Sequence, residues 1–349
     1  MAMTEKLGAV AIGRNEGPRL TSCLKSLAAV QGHLVYVDSG STDGSVEEAR
    51  RLGAEVVILD PDVAFTAARA RNAGWRRLLE QFPSLEYVQF VDADCEIVSG
   101  WLKTGVQALE HSPTLGIVCG RNRERYPGVS VYNRLVDMEW NTPIGDAKSC
   151  GGTAMIRALV LRETGGFDDR LIAGEEPEMC VRIRAGGWRI QRIAAEMSFH
   201  DIEMTRFKQW FRRAERAGHA FAEGFSIHGG PPEHHYRRET RSIVFWAGIL
   251  PVVLLLATVG LSPWFLLAFS IFPMQMLRTA IHRRRSFGDP WSHCLAFGTA
   301  CVLAKWPQLC GMLVYWKNRI QGRRARIIEY KPVASVPGVK TTAGSGTSL

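Results

Sequence analysis

The residues best suited to chemistry are carboxylates that stand directly after apolar runs. In VQFVDADCEI, Asp92 and Asp94 lie two residues apart at the end of such a run, a spacing that lets both hold a hard cation through oxygen ligands. A D-x-D triplet alone is weak, since Asp60-Pro61-Asp62 is another and reads as a turn. Asp92 and Asp94 are favoured because their hydrophobic strand follows the candidate nucleotide pocket and an intervening helix. That pocket is VYVDSGSTDGS, where Asp38 ends a strand and small hydroxylic residues follow, so its carboxylate can accept from a base N–H across an open turn. The plainer alternative is a strand, turn and helix capped by Asp43. ARARNAGW places Arg69, Arg71, Asn72 and Gly74 within about two helical turns, as part of a site or as ordinary surface residues.

Further along, Gly151-Gly152-Thr153 permits close backbone approach to a ligand, and the acceptor is the ligand expected there. Glu175 and Glu176 open a helical stretch with Pro177 in its first turn. Adjacent carboxylates repel, so one can carry a raised pKa and serve as a base. The alternative is a solvated helix start with favourable dipole interactions. His200, in SFHD, is either a third metal ligand or a structural histidine.

These groups must be held by a scaffold, and the first part of the chain supplies one. Short β-rich runs at 7–12, 33–38, 55–59 and 87–92 alternate with helical patterns at 18–29, 45–52, 65–82 and 99–111. This βαβα order predicts an α/β domain with a doubly wound, mostly parallel sheet, whose ligands sit beyond the carboxyl ends of the strands. Arg14, Asn15 and Glu16, residues 38–43, and Asp92 with Asp94 gather at those ends.

From residue 242 onward the composition changes. Residues 242–261 are an apolar run long enough to cross a ~30 Å hydrocarbon layer at ~1.5 Å per residue. Residues 264–281 return as a second span, and basic clusters on both flanks place the two as a hairpin with its ends on the cytoplasmic side. Lys305, Pro307 and Gln308 interrupt residues 291–316, which predicts a re-entrant or broken helical hairpin. Residues 205–225 place Phe207, Trp210, Phe211, Ala214, Phe221 and Phe225 at helical spacing opposite Lys208, Arg212, Arg213 and Arg216, the pattern of a basic interfacial helix. The expected organisation is a catalytic domain over 1–225 including that helix, a linker at 226–241, the membrane region at 242–316, and a basic segment with a disordered tail at 317–349.

The net charge of +9 is concentrated beside the apolar segments, which favours anionic lipid headgroups over nucleic acid. Eight cysteines without a C-x-x-C pair or Cys/His ligand spacing argue against a disulfide framework and a zinc site. No secretory signal opens the sequence, so the catalytic domain is expected at the cytoplasmic membrane, facing the cytoplasm.

Taken in order, IGRNE, VDSGSTDGS, ARNAG, DAD, GG-T, GFD followed by EE, and a later His resemble the family 2 glycosyltransferases of the GT-A fold, over residues 6–225. The resemblance implies a metal-dependent, inverting transferase. Glu16 and Asp38 would bind the uridine end of a nucleotide-diphosphate sugar, with Arg71 beside the base and Asp92 near the ribose and diphosphate. Asp94 and His200 would hold Mg²⁺ or Mn²⁺. The usual Glu-Asp pair of the family reads Glu175-Glu176 here; if the second position is the base, Glu176 takes that role, and Glu178 is the next candidate. Polysaccharide synthases of the family carry Q-x-x-R-W, whereas Gln209-Trp210-Phe211-Arg212-Arg213 lacks the final Trp, which favours single-sugar addition to a lipid-linked or glycan acceptor in polysaccharide or cell-envelope synthesis. The close rival resembles a polyprenyl-phosphate glycosyltransferase. From another class, a non-catalytic nucleotide-binding membrane scaffold is opposed by the intact acidic residues.

Overall fold

The computed structural model describes residues 3–323, so the tail expected beyond residue 331 lies outside the described residues. Strands β1 (Leu7–Gly13), β2 (Leu34–Asp38), β3 (Glu55–Ile58) and β4 (Tyr87–Asp92) are parallel, in the spatial order β3-β2-β1-β4. β2 is buried along its whole length and β1 nearly so, because helices cover both faces of the sheet. The helix Ala67–Gln81 approaches most closely at Gly74, where a Cβ would lie 2.3 Å from Val10 Cγ1.

The remaining strands are β5 (Cys95–Ile97), β6 (Leu115–Glu124), β7 (Gly145–Asp146), β8 (Ala154–Arg157) and β9 (Arg189–His200). They make the other half of the sheet mixed: β8 is antiparallel to β4 and β6, while β9 runs parallel to β6 and antiparallel to β5 and β7. The parallel half is as expected, and the mixed half is what brings the end of β9 back beside β5, the short strand that follows β4.

Three helical runs, Arg237–Gly260, Pro263–Phe287 and Trp291–Ile320, are long and apolar enough to cross a membrane. Val252, Leu256, Val259 and Leu267 are among many large apolar side chains they leave exposed, a surface that calls for an apolar surrounding. The third run keeps the expected break but does not turn back: it is two helices, Trp291–Leu303 and Lys305–Ile320, that meet at Ala304. Its ladder continues through Ala304, with Ala304 N–H donating to Ala300 O (2.8 Å) and Gln308 N–H to Ala304 O (3.0 Å). Pro307 falls in the first turn of Lys305–Ile320, where its missing N–H costs least.

The helix expected at the interface forms, with one of its faces covered by protein. Phe207–His228 is a helix with Phe207 and Lys208 exposed at its start, but Trp210, Ala214, Gly218 and Ala222 are buried against protein. Gln209 accepts from Thr205 N–H and Arg206 N–H at that start, which caps the helix. The helix is clasped by Lys305–Ile320: a Cβ on Gly218 would lie 1.9 Å from Gln308 O, and one on Gly311 1.9 Å from Glu215 O. Buried Arg283 adds a second tie, donating to Met138 O (2.8 Å) on the catalytic domain and to Asp289 (2.5 Å).

Gly218→Ala and Gly311→Ala should each cost about 1–3 kcal/mol by overpacking this crossing, whereas Gly260→Ala, with open space around it, should not. Thermal unfolding in detergent reads the difference; equal melting of all three variants would remove the crossing as a stability determinant.

Candidate functional site

The loops after β1 and β2 are tied to each other. Asn15 adopts a left-handed conformation (φ 56°), which asparagine tolerates, and its Oδ1 accepts from Thr42 N–H at 2.7 Å. Asn15 N–H donates to Ser41 Oγ, and Gly17 N–H to Asp43 Oδ2. Asp38 serves the same loops: its carboxylate accepts from Gly40 N–H (2.9 Å), Ser41 N–H (2.8 Å) and the Tyr36 hydroxyl (3.1 Å). Asp38 is thus buried and occupied by its own turn, and its neighbour Ser39, not Asp38, reaches the cleft. Glu16 does line the cleft, beside Arg19 at 3.0 Å.

Each polar residue of ARARNAGW has a separate task. Thr66 caps the helix by accepting from Arg69 N–H, and Arg69 itself holds the carbonyls of Asp60 and Val63 in an exposed loop. Asn72 donates to Phe167 O and Asp169 Oδ1 and accepts from Phe167 N–H, pinning the GFDD loop. Arg71 turns toward the cleft. It is 3% exposed and donates from Nη2 to Asp92 Oδ1 (2.8 Å) and from Nη1 to Glu175 Oε1 (2.7 Å). Burial alone would push the Glu175 carboxyl up, but the Arg71 and Arg216 guanidiniums outweigh it and hold Glu175 below its usual value.

This network decides what the double glycine does. A Cβ on Gly152 would lie 2.6 Å from Arg71 Nη2 and 2.9 Å from Asp92 Oδ2, and Gly151 has φ +86°. The expected acceptor residues Gly151, Gly152 and Thr153 do not line the cleft; they pack behind the Arg71–Asp92 pair, and buried Thr153 faces Cys95. The acidic pair is divided as well. Glu175 lines the cleft, whereas Glu176 Oε1 accepts from Cys150 N–H (2.5 Å) and Cys180 Sγ (3.0 Å) and is absent from the cleft wall. The geometry therefore corrects the expectation that Glu176 faces an acceptor. Glu178 is committed to Arg182 and His228.

Asp94 and His200 meet because β9 ends opposite β5: His200 pairs with Cys95 in register, and Asp201 N–H donates to Asp94 O. His200 Nε2 is 3.2 Å from Asp94 Oδ2, and both side chains are buried at the cleft wall. On the other side of the ring, Nδ1 lies 3.9 Å from Glu124 Oε2, and Trp140 packs edge-on at 4.8 Å. An imidazole nitrogen and a carboxylate oxygen converging beside a polar cleft fit a divalent cation with N/O preference, while Glu124 accepts from Tyr126 N–H, Asn133 Nδ2 and Ile202 N–H and leaves His200 Nδ1 without a hydrogen bond. Cys95 completes a group of ligand-type atoms within 4.8 Å, but burial pushes its thiol well up, which keeps it protonated. By contrast, Asp60 Oδ1 accepts from Asp62 N–H in an exposed turn.

Glu16, Arg71, Asp92, Asp94, Glu175 and His200 thus share one cleft, of about 1060 Å³. Sequence reasoning missed Glu124, Glu139 and the cleft role of Arg238. None of the three carried a readable signal, since Glu124 follows Arg121, Asn122 and Arg123 in the polar second half of its strand.

Removing the guanidinium with Arg71→Met would leave Asp92 and Glu175 facing one another and should cost about 3–5 kcal/mol, discounted for the partial exposure of Asp92. Because Glu175 titrates below its unfolded value, the stability it contributes is present above about pH 4.5 and lost as pH falls through the folded value. Urea unfolding between pH 3 and 7 should therefore show a shallower acid decline in Arg71→Met than in the wild type; parallel declines would exclude the coupling.

Comparison with known proteins shows the family. The model of Glycosyl transferase family 2 matches residues 11–154, and that of Glycosyl transferase family group 2 matches residues 88–303, more than half of the chain. The chain is 24% identical over 215 residues to the pre-mycofactocin glycosyltransferase of Mycobacterium tuberculosis, covering 57% of this chain and 43% of that protein. It is 27% identical over 177 residues to the succinoglycan biosynthesis protein ExoA of Rhizobium meliloti, covering 47% and 52%. The chain thus spans about half the length of the curated relatives it matches. Its fold is similar to that of the mannosyltransferase PcManGT from Pyrobaculum calidifontis, solved with GDP-Man and Mn²⁺, at a TM-score of 0.57 and 20% identity over 86% of this chain and 85% of that one. With the strand order, the tied loops after β1 and β2 and the Arg71 network already in place, these matches identify the chain as a family 2 glycosyltransferase of GT-A fold.

Proposed function

We propose that the chain transfers a single sugar, with inversion, from a nucleotide-diphosphate donor to a membrane-linked glycan acceptor in polysaccharide or cell-envelope synthesis. The observation that carries this reading is the placement of Asp94 and His200 next to the Arg71–Asp92–Glu175 network on one cleft wall. Asp94 and His200 would hold Mg²⁺ or Mn²⁺, and a divalent cation there supplies charge neutralisation for the donor diphosphate. Arg71 fixes Asp92 toward the ribose and diphosphate, and Glu16 with the loop after β2 forms the nucleoside end. A UDP-sugar is the expected donor; the GDP-Man bound by PcManGT makes guanosine donors the necessary comparison.

Glu175, rather than Glu176, is the carboxylate positioned to receive the acceptor proton. Arg71 keeps it ionised, so it takes the proton as the hydroxyl oxygen bonds to the anomeric carbon. The bond from that carbon to the diphosphate oxygen breaks on the opposite face, and the nucleoside diphosphate leaves with the electron pair. Glu176 positions Glu175 by anchoring the helix start to Cys150. The three long apolar helices support attachment to the cytoplasmic membrane, with the basic flanks on the cytoplasmic side.

Thermal stabilisation by UDP-sugars and GDP-Man, with and without Mn²⁺, tests the donor site. One nucleotide sugar at a hundredfold excess over its Kd should stabilise the folded chain by about 2.7 kcal/mol in Mn²⁺ only. Asp94→Asn and His200→Ala should each remove the metal-dependent part; stabilisation that ignores Mn²⁺ would refute the cation site. Glu175→Gln should lower turnover about 10²–10⁴-fold while nucleotide binding persists, and the same loss in Glu176→Gln with Glu175→Gln active would return the base to Glu176.

A further inference from the structure

The cleft does not stop at the catalytic domain. It continues among the helical runs, where Gln275 and Thr279 from Pro263–Phe287 and Lys305 and Gln308 from Trp291–Ile320 line the same cavity as His200. Polar and ionisable groups within apolar spans are costly and are kept where they face a functional cavity. Apolar side chains of the same runs, Trp246, Phe297 and Val302, line it as well. A volume of about 1060 Å³ exceeds what one compact ligand usually occupies, so the cleft has room for a second substrate beside the donor.

Charge shows what that substrate carries. Arg213 is paired with Glu139 at 2.7 Å, and Arg216 donates to Ile172 O at 3.1 Å. Lys305 and Arg238, also on the wall, make no ion pair among the described residues, and Glu239 nearby pairs with neither. Gln308 Oε1 is buried without a hydrogen-bond partner. A cation in a largely apolar passage needs an anion, and the apolar walls need a hydrocarbon chain.

We infer that this arm of the cleft is the acceptor site, and that it takes a long-chain lipid bearing a phosphate or diphosphate. Its phosphate lies against Lys305 and Arg238, its chain runs along Trp246, Phe297 and Val302, and its sugar head extends toward Glu175. This assignment rests on the glycosyl-transfer reading above, and it makes the helical region part of the active site as well as an anchor.

Calorimetry of farnesyl phosphate binding to the detergent-solubilised full chain tests it. Lys305→Gln should weaken binding about tenfold or more, Lys305→Arg should keep it within about threefold, and uncharged farnesol should bind at least about tenfold more weakly than farnesyl phosphate. If Lys305→Gln fails to fold, Arg238→Gln, at the polar start of the run Arg237–Gly260, should show the weakening instead. Unchanged affinity in both folded glutamine variants, or equal affinity for farnesol, would overturn the proposal. So would displacement by an equal concentration of dioleoylphosphatidylglycerol, which would mark a bulk-lipid contact. Nucleotide binding is read on the same preparations. Nucleotide bound without farnesyl phosphate sinks the lipid site and spares the transfer reading; farnesyl phosphate bound without nucleotide sinks the acceptor assignment together with that reading.

Discussion

A guanidinium can stand in a nearly dry interior only where carboxylates meet it, and Arg71 is such a group, bonded to Asp92 on one side and Glu175 on the other. Three elements remote in sequence are held by that one side chain: the helix Ala67–Gln81, the end of β4 and the start of the helix Glu175–Ala185. The demand spreads outward. Gly152 must lack a Cβ because Arg71 and Asp92 already fill the space, Asn72 must pin the GFDD loop that leads to Glu175, and Gly74 must let the helix lie close to Val10. A short motif is thus explained residue by residue, each type answering a different contact.

The second constraint is topological. A purely parallel sheet would leave Asp94 at a strand end with no partner from later in the chain. The mixed half instead returns β9 between β5 and β6, so His200 arrives opposite Cys95 and Glu124. The meeting of Asp94 and His200 therefore depends on sheet pairing between segments about a hundred residues apart in the chain, with Glu124 ending the strand on the other side of His200.

The helical region is joined to this centre by close crossings. Gly218 and Gly311 allow Phe207–His228 and Lys305–Ile320 to touch at the backbone, and buried Arg283 fastens the preceding run to Met138. A linkage that tight keeps the polar residues of the apolar runs on the cleft that Arg71, Asp94 and His200 line.

The amino-acid sequence by itself determined the alternation of the parallel half, the apolar runs and the ordered set of site motifs, because periodicity, strand-end carboxylates and glycine spacing are local properties. It also marked Asp92, Asp94, Arg71 and His200 as candidates, and the folded chain brings all four to one cleft. Side-chain direction was not legible. Asp38 looked open but is consumed by its own turn, and of two adjacent glutamates only tertiary packing decided that Glu175 faces the cleft while Glu176 faces Cys150. The helix Phe207–His228 has the pattern of a membrane-surface helix, and an apolar face reads the same whether lipid or protein covers it. Lys305 and Gln308 read as breaks in a span, because sequence records that a polar residue interrupts an apolar run but not which cavity it faces. That depends on contacts between segments far apart in the chain, which only the folded structure supplies.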